Sequence, residues 1–287
     1  MTFQQKTPNA LVRTPGTRPT LAQMLLREGA PMVRLVGWST TRGELDNTVI
    51  VALVDPVTGG SYGVADTTTG AGQSSMIGAS VNGVTLVDGR RPGNPDTNRR
   101  GYAIPASTVA SKKCVSVMVV GRVPASVWTD YAPAASSVLL SYLFGPTNSG
   151  TAYLWRVRFT AGQIEAAGRR KSDGASAINV VLPLDTSQWF ALIVSFNFET
   201  GTIEIENVLT GEVASGSGML GSGTTSQAAG GSDILSIGYQ FYSTGTAHGW
   251  YGQWSDLALW AGEPLTAWQR FAWRRHAKAM VRKLAGT

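Results

Sequence analysis

Between residues 31 and 262 the apolar positions recur with a period of two, in short segments. This alternation, with its β-branched and aromatic bias, predicts strands over 32–38 (MVRLVGW), 48–54 (TVIVALV), 83–87 (GVTLV), 114–123 (CVSVMVVGRV) and 137–144 (SVLLSYLF). Further strands are predicted over 151–160 (TAYLWRVRFT), 189–197 (WFALIVSFN), 201–208 (GTIEIENV), 234–241 (ILSIGYQF) and 253–260 (QWSDLALW). Turn-forming stretches such as DPVTGG, GPTNSG, ETG and LTGE separate them. No helix of ordinary length fits between them. That excludes an alternating α/β layout and favours stacked antiparallel sheets.

The period changes at the two ends. Residues 1–18 are polar and Thr/Pro-rich, and read as an extended arm. In 19–29 (PTLAQMLLREG), Pro19 suits a first helical position, Leu21, Met24 and Leu25 form an apolar stripe, and Gly29 can stop the turn. A helix this short needs a body or a partner to dock on. Residues 264–285 interleave apolar and basic side chains at helical spacing: Trp268, Phe271, Ala272 and Ala279 on one side, Arg270, Arg274 and Lys278 on another, with Thr266 placed to cap. The organisation expected is a docking arm and helix (1–30), a β body (31–262) and a basic terminal helix (263–287). Residues 216–232 (GSGMLGSGTTSQAAGGS) are low-complexity and expected to be a mobile surface loop.

The order of the second half resembles the laminin-G-like pattern. In 186–215 a tryptophan opens a strand, a short turn follows, and the next strand ends in an Asn/Gly turn. The Ile-Gly pair of 234–240 is similar to the strand after it. The closing signature of that family is matched by Gly252, Trp254, Asp256, Leu257, Leu259, Trp260, Leu265 and Thr266, with Ser255 where the first acid usually stands. The resemblance implies a concanavalin A-like (lectin/glucanase) fold: an all-β, two-sheet antiparallel jelly-roll sandwich. It covers 105–272 well and 31–104 only by strand content.

The jelly roll alone does not give a function. Related β-glucanases carry a Glu-x-Asp-x-x-Glu strand motif whose carboxylates flank the scissile bond, roughly 5–5.5 Å apart for retention. Glu204-Ile205-Glu206 is the nearest match, but position 209 is Leu209, so these acids read as a solvated strand face. Neither a nucleophile elbow, a Walker loop nor a dinucleotide fingerprint is present, and there are only two histidines, His248 and His276. Cys114, the single cysteine, begins an apolar strand and reads as a small buried hydrophobe, leaving no internal disulfide. The resemblance also allows Ca²⁺, but loop 89–101 offers one acid, Asp96, among Arg90, Arg91, Arg99 and Arg100. No cofactor is expected and no metal ligand is assigned.

Sugar binding needs aromatic platforms and polar groups at one loop end. Trp250, Tyr251, His248, Tyr239 and Tyr242 are the candidates, against the alternative that they cap the core. Trp260 is open. Leu257 and Leu259 share a strand face, and Trp254 joins them only if a bulge falls at Ser255–Asp256.

Composition and charge narrow the partners. Charged residues are 15%, below the roughly 25% usual in soluble domains, and their place is taken by Gly, Ser, Thr and Ala. Net charge is +6, and +5 of it lies in 263–287, so the body is near neutral and offers no general nucleic-acid surface. Arg270, Arg274, Arg275, Lys278, Arg282 and Lys283 are expected to dock a partner, with Leu21, Met24 and Leu25 doing so at the other end. The N-terminal segment lacks the apolar region of a secretory signal, and no stretch is long and apolar enough to span a membrane. This combination resembles bacteriophage virion proteins with laminin-G-like domains: tail fibres, receptor-binding proteins, and head fibre or decoration proteins. It implies a non-enzymatic, homo-oligomeric virion protein made in the host cytoplasm that contacts host polysaccharide. The alternatives are an architectural virion protein without glycan binding and, lower, a β-glucan-type glycosidase.

Overall fold

The structure is a computed structural model that describes residues 32–35, 52–54, 61–63, 77–89, 102–130, 137–143, 153–173, 177–230, 233–240 and 248–287. The expected arm and helix of 1–30, Tyr242 and loop segment 90–101 lie outside the described residues.

Two sheets, numbered by strand in chain order, make the body. The larger runs β14 (Val213–Ser217), β13 (Thr202–Asn207), β12 (Phe190–Asn197), β7 (Cys114–Arg122), β18 (Gln253–Gly262), β5 (Val84–Asp88), β4 (Ile77–Val81). A further strand, β1 (Met32–Leu35), pairs with residues 257–260 of β18. The smaller sheet runs β11 (Ile178–Pro183), β10 (Gln163–Gly168), β9 (Tyr153–Thr160), β8 (Ser137–Leu143), β15 (Ile234–Ile237), β6 (Tyr102–Pro105). Two short pairs stand apart: β2 (Ala52–Val54) with β3 (Ser61–Gly63), and β16 (Tyr239–Gln240) with β17 (His248–Gly249). All these pairings are antiparallel, and the architecture is an all-β jelly-roll sandwich.

The core follows from alternation. Val115, Val117 and Val119 of β7, Leu192, Val194 and Phe196 of β12, and Leu257 and Leu259 of β18 point between the sheets. Trp155, Val157 and Phe159 of the smaller sheet meet them. Intervening residues of the larger sheet (Met118, Val120, Ala191, Ile193, Ala258 and Trp260) form a second buried layer on its outer face. Strands β7, β12 and β18 are therefore buried on both faces, which explains their nearly continuous apolar runs.

What covers the second layer is the terminal helix, α2 (Ala267–Ala285); a short α1 spans Ser126–Asp130. Thr266 and Gln269 form a reciprocal capping box at its start. Gly286, at φ 77°, closes its end with a left-handed turn. The helix buries Gln269, Ala272, Trp273, Ala277 and Leu284. Trp273 also donates its indole N–H to the Leu192 carbonyl at 3.2 Å. This corrects the expected apolar side. Trp268 and Phe271 are 36% and 50% exposed, with ring centroids 5.6 Å apart. The sheet selects the face with Trp273, which reaches a strand carbonyl as well as the core.

A register shift falls between Trp254 and Asp256: Trp254 opposes Gly121 and Asp256 opposes Val120. Ser255 is the extra residue, so Trp254 turns onto the core face with Leu257 and Leu259, as the sequence requires. Strands β3, β4, β6, β10, β11, β14 and β17 fall outside the predicted ranges, because they are very short or their alternation is interrupted, by Ala, Gly or Pro in most and by adjacent valines in β11. Residues 218–230 lack regular structure, but the expected loose loop is tied down. Met219 is 2% exposed and its carbonyl accepts from Arg170 Nη1 at 2.7 Å; Ser226 Oγ donates to the Val109 carbonyl at 2.6 Å.

Candidate functional site

A cleft of about 660 Å³ opens at one end of the sandwich. The β9–β10 turn supplies Gly162, and the end of β11 supplies Pro183 and Leu184. The link into β12 supplies Asp185, Gln188, Trp189 and Phe190, and the β13–β14 turn supplies Asn207, Leu209, Thr210 and Glu212. Aromatic (Trp189, Phe190) and aliphatic (Leu184, Leu209) side chains thus sit beside amide, hydroxyl and carboxylate groups.

Both polar loops are set by local hydrogen bonds. Asp185 Oδ1 accepts from the Ser187 amide at 3.0 Å and hydroxyl at 2.6 Å, and these bonds hold the Asp185 carboxyl below its usual range. In the other loop Asn207 Oδ1 accepts from the Leu209 amide at 3.0 Å. Thr210 donates its hydroxyl to Glu212 Oε2 at 3.0 Å, and Gly211 supplies the positive φ of 82° that the turn needs. The carboxylates are therefore fixed through one oxygen each.

Trp189 is held from behind. The Arg122 guanidinium lies 4.5 Å over its ring. Arg122 Nε donates to Gln253 Oε1 at 2.8 Å, and Gln253 Nε2 donates to Asp88 Oδ2 at 2.6 Å. Asp88 and Gln253 are buried at 3% and 2% exposure, so a polar chain rooted in the larger sheet fixes the indole at the cleft. Trp189 also packs against the buried layer on the outer face of the larger sheet, which leaves it partly exposed in the cleft.

The structure disperses the aromatic residues expected to bind sugar. Trp250 is fully buried, with Phe159 edge-on at 5.5 Å and Trp254 at 5.6 Å. Tyr251 is 6% exposed, and its backbone N–H donates to Ser137 Oγ at 2.9 Å. Neither forms a platform; both close the core, where burial of a large aromatic outweighs its use at a surface. Trp260 lies beneath α2. Tyr239 and His248 fall on the β16–β17 pair, and their side chains, like Tyr242, lie outside the description. Sequence reasoning missed Trp189, Asp185, Gln188, Thr210 and Glu212. The available signal was the pairing of two polar turns, LDTSQW and LTGE, at the ends of adjacent strands.

The acid pair and the basic helix also differ from expectation. Arg274 forks onto Glu206, with Nε to Oε1 at 2.6 Å and Nη2 to Oε2 at 2.9 Å. Arg270 Nη1 bridges Glu204 Oε1 at 2.7 Å and Glu206 Oε2 at 3.2 Å. Glu206 is 3% exposed, so it is not a solvated acid, and Arg270 and Arg274 serve inside the chain. The basic part of the expected docking set shrinks to Arg275, Lys278, Arg282 and Lys283, exposed and without a carboxylate partner among the described residues, while Leu21, Met24 and Leu25 lie outside those residues. His276 Nε2 lies 3.0 Å from Asp256 Oδ1. Cys114 is buried, and desolvation pushes its thiol up to about 11. Among the described residues no group of three or more His, Cys, Asp and Glu is arranged to hold a metal, and no helix is long and apolar enough to cross a membrane.

No family model matches the chain, and no curated protein sequence matches it. Solved structures similar to it include the botulinum neurotoxin serotype G binding domain, with a TM-score of 0.50 and 12% identity, covering 87% of this chain and 50% of that one. The botulinum neurotoxin type G receptor-binding domain matches with a TM-score of 0.49 and 12% identity over 88% and 52%. CBM40 of the Ruminococcus gnavus IT-sialidase, bound to α2,3-sialyllactose, matches with 0.45 and 15% over 58% and 87%. The chain spans about half the length of the botulinum domains. At these identities the likeness is one of fold.

Proposed function

We propose that this chain is a non-enzymatic glycan-binding β-sandwich module of a bacteriophage virion, working in a tail fibre or receptor-binding assembly that contacts host-surface polysaccharide. One observation carries the binding reading: the end cleft, where Trp189, braced by Arg122, stands beside Asp185, Gln188, Thr210 and Glu212. A similar solved fold is a neurotoxin binding domain. The absence of catalysis is supported by Glu204 and Glu206, which are engaged by Arg270 and Arg274 rather than free to flank a glycosidic bond. The virion setting rests on the Gly/Ser/Thr-rich β body, the polar N-terminal arm and the terminal helix. The test is a glycan array followed by titration of the best glycan. Trp189→Ala is expected to weaken binding at least about tenfold, as loss of a central aromatic anchor does. An array with no bound glycan, or a variant that binds like the parent, refutes the reading.

A second reading is an architectural role in a head fibre or decoration protein. The outward face of α2 favours it: Trp268 and Phe271 are followed by Arg275, Lys278 and Arg282 at spacings of three and four residues, one continuous stripe. The occupant proposed is an acidic virion protein, with Leu21, Met24 and Leu25 of the N-terminal segment as a second contact. Replacing Arg275, Lys278, Arg282 and Lys283 by Glu is expected to abolish incorporation into particles while leaving thermal unfolding unchanged. Normal incorporation refutes it.

A further inference from the structure

The cleft has a charge preference that goes beyond sugar binding, although it rests on that reading. Among the described residues its lining holds two carboxylates, Asp185 and Glu212, and no lysine or arginine, on a chain whose net charge is +6. Hydrogen bonds from Ser187 hold Asp185 in its charged form. These bonds engage one oxygen of each carboxylate, Asp185 Oδ1 and Glu212 Oε2, and leave each group an acceptor for a ligand cation. Arg122 is not part of the lining: its guanidinium is engaged by the Trp189 ring and by Gln253.

From this we infer that the cleft takes saccharides bearing a free amine, takes neutral ones more weakly, and rejects those carrying a carboxylate or sulfate. An ammonium group reaching one carboxylate in a water-like dielectric gains about fivefold in affinity, and a carboxylate on the ligand loses a similar factor. Both effects are screened by salt.

The experiment titrates the full chain, at low and high salt, with a glucosamine tetramer, the N-acetylglucosamine tetramer and sialyllactose. At low salt the glucosamine tetramer is expected to bind at least about fivefold tighter than its acetylated analogue, and sialyllactose weakest. At about 0.5 M salt the first gap is expected to shrink below about twofold. The double variant Asp185→Asn/Glu212→Gln is expected to level the three affinities, and Trp189→Ala to remove all three. Sialyllactose binding as tightly as the amine ligand, or a ranking unchanged in the double variant, overturns the charge preference while leaving glycan binding in place. Binding of none of the three, alongside a silent glycan array, overturns the reading beneath it and the preference with it.

Discussion

The Arg270–Arg274 clasp on β13 fixes how α2 is anchored, and removing it has a calculable cost. Glu206 accepts three charge-assisted hydrogen bonds, and its side chain is 4% exposed. Replacing Arg274 alone leaves Arg270 within 3.2 Å, so the carboxylate keeps one partner and the expected loss is about 1–2 kcal/mol. Replacing both arginines by methionine keeps much of the aliphatic bulk but strands the buried charge, and the expected loss rises to about 3–5 kcal/mol. For a chain of this size that lowers the melting temperature by about 6–10 °C. Adding Glu206→Leu to the double variant removes the stranded charge, and most of the loss is expected to return. Urea unfolding followed by tryptophan fluorescence measures all four proteins. A double variant within about 1 kcal/mol of the parent, or a triple variant no more stable than the double, refutes the assignment of Glu206 as a carboxylate that depends on the helix.

Two further outcomes test the core. The folded Cys114 thiol has its pKa raised from 9.0 to about 11, so its stabilising effect is full below pH 9 and is lost as pH rises to 11, a change of roughly 3 kcal/mol. Burial and Asp233 raise the Tyr142 hydroxyl as well, which adds to the same alkaline loss above pH 10. Urea midpoints that stay level from pH 8 to 11, or a slope unchanged in Cys114→Ala, contradict this. Deleting Ser255 removes the bulge and forces either Trp254 or the Leu257–Leu259 pair off the core face. The expected loss exceeds about 3 kcal/mol, and a deletion variant that unfolds at the parental urea concentration contradicts the register.

The bulge shows what a single chain can disclose by itself. Trp254, Leu257 and Leu259 are all apolar, their spacing is incompatible with one uninterrupted strand face, and one inserted residue resolves it. The capping box at Thr266 and Gln269 was equally local. Other features depended on distant residues. Trp250 and Trp189 both begin apolar runs, yet one is sealed beneath Phe159 and Trp254 while the other stands beside a turn formed by 207–212. Arg270 and Arg274 looked like solvent-facing cations because their carboxylates lie more than 60 residues earlier. Periodicity identifies which face of a strand or helix is apolar; it does not identify what that face meets.

The placement of β18 has a consequence for synthesis. Strand β18 has β7 along one edge and β5 and β1 along the other, so these three strands are joined into the larger sheet by hydrogen bonds to residues 253–262. Until those residues leave the ribosome, β7 and β5 carry open edges with apolar groups on both faces, and such edges are prone to pairing with other chains. The nascent polypeptide therefore completes its larger sheet only after residues 253–262 follow all of their partners, by long-range closure of the kind that folds slowly. A product truncated before residue 253 is a protein without an interior strand of its larger sheet rather than a shorter sandwich. Synthesis through residue 262 is thereby written into the topology as a condition for a closed sheet.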